Sequence, residues 1–73
     1  MKASKGIRKL IDDAQAKGLF VRETGSDCII KGRFERGLVI FPDGTALRTD
    51  VDPRVATTIR TQRLMRAFLG LDA

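Results

Sequence analysis

Residues 19–49, LFVRETGSDCIIKGRFERGLVIFPDGTALRT, alternate short apolar runs with turn signals, and this stretch sets the fold class. Four runs predict strands, over 19–24, 27–31, 38–41 and 45–49. Gly25-Ser26 marks a tight turn between the first two. In Pro42-Asp43-Gly44 the proline presets φ and the glycine supplies positive φ, so the last two strands also meet through a turn. The third run, Leu38-Val39-Ile40-Phe41, is apolar on both faces, which predicts an interior strand. Short strands joined by short turns predict an antiparallel meander.

Helical patterns flank the meander. Over 4–17, Ala3, Ile7, Leu10, Ile11 and Ala14 recur at three- and four-residue spacing and define one apolar face. Ser4 fits the N-cap, and Gly18 fits the position just past the C-terminus. After the strands, Asp52-Pro53 has the form of a cap followed by a first-turn proline, predicting a second helix over 52–69 ended by Gly70. Its apolar residues Leu64, Met65, Phe68 and Leu69 spread over a wide arc. The expectation is an α+β fold of order α-β-β-β-β-α, one domain over 1–73, with both helices on one face of the sheet and the other face open.

Composition bounds the function classes. The chain has 73 residues, one cysteine and no histidine. Cys28 alone can form no intrachain disulfide, and a zinc site needs more ligands than it offers. No cofactor is expected. No apolar run approaches the ~20 residues of a membrane span, and no apolar segment follows the early lysines as in a secretory signal. Together with the lone thiol this predicts a cytoplasmic protein without membrane contact. A domain this small buries a modest fraction of its surface, so a homodimer is a plausible source of added stability.

The formal net charge is +5. Segment 1–18 carries +3, segment 19–51 is neutral and segment 52–73 carries +2. A cationic excess at both ends suits a polyanion partner, because phosphate contacts attract at long range whatever the base sequence. It equally suits a solvated surface.

Three features carry candidate sites. Arg60, Arg63 and Arg66 sit three apart with no acid between residues 54 and 71. On a continuous helix they would line one side and offer planar forks to phosphate. The competing reading is a solvated face, or ion pairs with acids from elsewhere. In the 32–37 connection, GRFERG, Arg33 and Arg36 flank Phe34, and such a cluster could stack a base and hold phosphates; the alternative is that Phe34 tucks into the core edge. Its two glycines lack the Lys-Ser/Thr of a phosphate loop. Finally, Leu64, Phe68 and Leu71 share a stripe on the second helix that could meet a second copy or a partner protein.

The element order, with Gly18, Arg22, Gly25-Ser26 and Ile29-Ile30-Lys31, and with Leu64-Met65-Arg66 through Leu69-Gly70-Leu71 at the end, resembles the HicA-type toxins of toxin–antitoxin systems. That family shares the fold of double-stranded-RNA-binding domains. Its catalytic residue is a His after Gly-Ser, and Asp27 stands there in this chain. The resemblance implies a HicA-like fold without ribonuclease activity. Metal-free RNA cleavage needs an acid and a base of suitable pKa, and Asp27 beside Cys28 lacks the orienting groups for it. The expectation is a non-enzymatic RNA- or DNA-binding domain; the alternative is a protein-interaction module, such as a bacteriophage-encoded inhibitor of a host factor.

Overall fold

The computed structural model describes residues 1–32, 36–52 and 54–71. The element order is α1 (Lys5–Ala16), β1 (Phe20–Glu23), β2 (Cys28–Lys31), β3 (Gly37–Ile40), β4 (Ala46–Arg48) and α2 (Gln62–Leu69). The strands form one antiparallel sheet in sequential order, so β2 and β3 are interior. The expected α+β fold is therefore present.

Local chemistry explains most of the boundaries. The Ser4 hydroxyl accepts from the Ile7 amide at 3.3 Å and opens α1. Gly18, at φ 82°, lets the chain leave it. In the first hairpin the Thr24 hydroxyl accepts from the Ser26 and Asp27 amides and donates to the Asp27 carboxylate, holding the Gly25-Ser26 turn. In the last hairpin the Asp43 carboxylate accepts from the Thr45 amide and hydroxyl, with Gly44 at φ 90°.

Strand alternation sorts the side chains onto two faces. The register aligns Cys28 with Ile40, and Ile30 with Leu38, and their side chains are fully buried. They meet Ile7, Leu10, Ile11 and Ala14 of α1 and Met65 and Leu69 of α2. Both helices thus cover the same face.

The second helix is shorter than expected. It does not start at Asp52: the Asp52 carboxylate turns back onto the Arg54 amide at 2.9 Å, and its carbonyl accepts from the Val55 amide. Pro53 lies outside the described residues. Two features displace the helix start. Residues 55–61 hold Val55, Thr57, Thr58, Ile59 and Thr61, whose β-branched side chains disfavour helix. Ile59 also pairs with Ala46 in an antiparallel bridge at 2.7 and 2.8 Å, extending the ladder past β4. The cap is Thr61, whose hydroxyl accepts from the Leu64 amide.

The two helices run in the same direction. The Gln62 side chain lies on Gly6 near the start of α1. Arg66, one turn on, reaches Asp13, seven residues further along α1, at 2.8 Å. Both N-termini therefore stand at one end of the domain.

On the sheet side of α1, Arg8 grips Glu23 through both guanidinium arms, one at 3.1 Å. The hydrogen bond from Arg8 is the main cause that lowers the Glu23 carboxyl from 4.5 to about 2. A depressed carboxyl adds stability above its unfolded pKa, and this is lost as pH falls through the folded value. Acid should therefore weaken the protein between about pH 4.5 and 2, and Glu23→Gln should flatten that part of the profile. Thermal melts across that range, with equal slopes in both proteins, would show that the pair contributes nothing.

Candidate nucleic-acid interface

The expected site residues separate into groups. Arg33 and Phe34 lie outside the described residues. Arg36, just before β3, places its guanidinium 5.7 Å from the centre of the Phe68 ring, and Arg48 approaches the same ring at 5.0 Å. Phe68 and Leu71 are half-buried against the core. With Lys17, Leu19 and Arg36 they line a cavity of about 220 Å³, below the ordinary size of ligand sites. Leu64 of the expected stripe is instead 58% exposed.

The arginine row is not formed. Arg60 precedes the helix cap and sits near Asp43. The Asp43 carboxyl is held below its usual range, first by the Thr45 hydroxyl and backbone bonds and in smaller part by Arg60. Arg63 is exposed on the first turn of α2. Arg66 turns toward α1, and its hydrogen bond lowers the Asp13 carboxyl. Asp13 lies 53 residues away in sequence, so local spacing carried no sign of this pair.

The shared end of the two helices forms a different cationic group. The first two amides of each helix, at Lys5 and Gly6 and at Gln62 and Arg63, have no carbonyl partner within their helix. Neither first turn holds an acid. Lys5 and Arg63 are exposed there with no ion-pair partner among the described residues, and Arg60 is exposed near Asp43 without a direct ion pair to it. Acids usually occupy these positions to balance the positive end of the helix dipole. Here cations add to it, and the field favours an anion. Sequence periodicity could not find this group, because it depends on the parallel course of α1 and α2.

Chemistry at other positions is limited. Cys28 is fully buried, and burial is the first cause that raises its thiol pKa. The Asp27 carboxylate accepts from the Thr24 hydroxyl at 2.9 Å. Among the described residues, no group of three or more His, Cys, Asp or Glu could hold a metal ion, and no helix is long and apolar enough to cross a membrane. No protein-family model, no curated protein and no solved structure matches this chain.

Proposed function

We propose that this protein is a nucleic-acid-binding domain that grips the phosphate backbone of a duplex with the paired N-terminal ends of α1 and α2. The observation that carries this reading is the convergence at one end of two helix N-termini without acids and the exposed cations Lys5, Arg60 and Arg63. Adjacent phosphates suit such a surface, since free amides and guanidinium forks both take anionic oxygens. The resemblance to HicA-type toxins accords with binding to RNA, and Asp27 in place of the family's His accords with binding without cleavage.

A salt series on duplex RNA and duplex DNA tests the proposal. Affinity should fall linearly on logarithmic axes, and Arg63→Ala should reduce the slope by about one, equally for all sequences. Absence of salt-dependent binding to either duplex at low ionic strength overturns it.

A further inference from the structure

The sheet face turned away from the helices carries its own pattern. Cross-strand register sets Arg22, Ile29, Val39 and Leu47 in one row. Phe20 and Lys31 begin the neighbouring row, and Gly37 follows them. Phe20 is 54% exposed, far more than a phenylalanine needs to be beside a sheet, and the Lys31 ammonium stands 5.7 Å from its ring centre. Ile29, Val39 and Leu47 are half-buried and form an apolar strip between the two interior strands and β4.

Charge on this face is one-sided. None of its strand positions is an acid, whereas Arg22 and Lys31 are exposed and have no ion-pair partner among the described residues. Glu23 points to the opposite face and is held by Arg8. The acids at the rim are engaged: Asp27 by the Thr24 hydroxyl and Asp50 by Arg48 at 2.7 Å.

From this arrangement we infer that the open sheet face binds an unpaired stretch of nucleic acid, stacking a base on Phe20 and holding the flanking phosphates with Arg22 and Lys31. An exposed ring with cations beside it and an apolar strip is the composition of a stacking platform. A duplex would offer this face phosphates, but its bases would stay stacked inside, leaving the ring and the strip without a partner. A second copy meeting the face would bring Arg22 and Lys31 against the same cations, with no acid to receive them. The site lies on the sheet face turned away from the helices and does not depend on their N-terminal ends.

Fluorescence anisotropy with a labelled oligouridine and a duplex RNA of equal length tests the inference. Phe20→Ala is expected to weaken oligouridine binding about tenfold with an unchanged salt slope. Arg22→Ala and Lys31→Ala should each lower that slope by about 0.7. All three should leave duplex binding as it is, while Arg63→Ala should do the reverse. Circular dichroism on each variant checks the fold, which exposed positions should preserve. Oligouridine binding that is indifferent to Phe20→Ala overturns the inference. Duplex binding without oligouridine binding overturns it while leaving the helix-end reading intact, and the opposite result removes that reading alone.

Discussion

Met65→Ala lowers the stability of this domain by about 2–5 kcal/mol, the largest loss expected from a single side chain of α2. Met65 is fully buried, and of the eight residues of the helix only it and Leu69 are buried, with Phe68 half-buried against them. A helix of two turns does not hold itself in water; packing must hold it. A domain of this length has about 4–11 kcal/mol in total at the usual stability per residue. The substitution therefore removes a large share of the whole and loosens α2 from the core it shares with α1 and the sheet. Urea unfolding should show a much lower midpoint, with Leu64→Ala, at an exposed position of the same helix, within about 0.5 kcal/mol of the parent. Equal midpoints for Met65→Ala and the parent would mean that α2 does not contribute to the core.

The second large effect concerns binding. Reversing both exposed charges, as Arg60→Glu with Arg63→Glu, should weaken duplex binding about a hundredfold at low salt and flatten the salt slope by about two. Neither arginine pairs with an acid among the described residues, so the fold should survive. Arg66→Ala is the informative contrast. It removes the partner of Asp13 and one link between the helices, and so should change the melting curve more than the salt slope. If Arg66→Ala instead reduces the slope as much as Arg63→Ala, Arg66 leaves Asp13 for phosphate in the complex. Unaltered duplex affinity in the double variant would place the contact elsewhere.

The meander and α1 were legible in the sequence because their signals are local. Gly25-Ser26 and Pro42-Asp43-Gly44 sit where the hairpins turn, and the Ile7–Leu10–Ile11–Ala14 spacing is the buried face of α1. The start of α2 was not, since Asp52-Pro53 has the composition of a helix start while its carboxylate serves a local turn. The β-branched run through Ile59 was the contrary signal, but its bridge to Ala46 comes from a strand already paired on its other side. The arginine row falls with that start: a helix from residue 52 would align Arg60, Arg63 and Arg66, whereas a cap at Thr61 divides them. The cationic end and the open sheet face both required knowing how distant elements lie beside one another.

The bridge between Ile59 and Ala46 also bears on how copies of the chain coexist at high concentration. An outermost strand presents unpaired amides and carbonyls, and another molecule can extend the sheet there as the first step toward a fibril. At Ala46 those groups are already taken by Ile59, at 2.8 and 2.7 Å. The β1 side is guarded differently: that strand is four residues long and carries Arg22 and Glu23. The segment after β4 thus acts as a built-in stop against intermolecular strand addition, and loosening it would expose the edge of β4 as a template for aggregation.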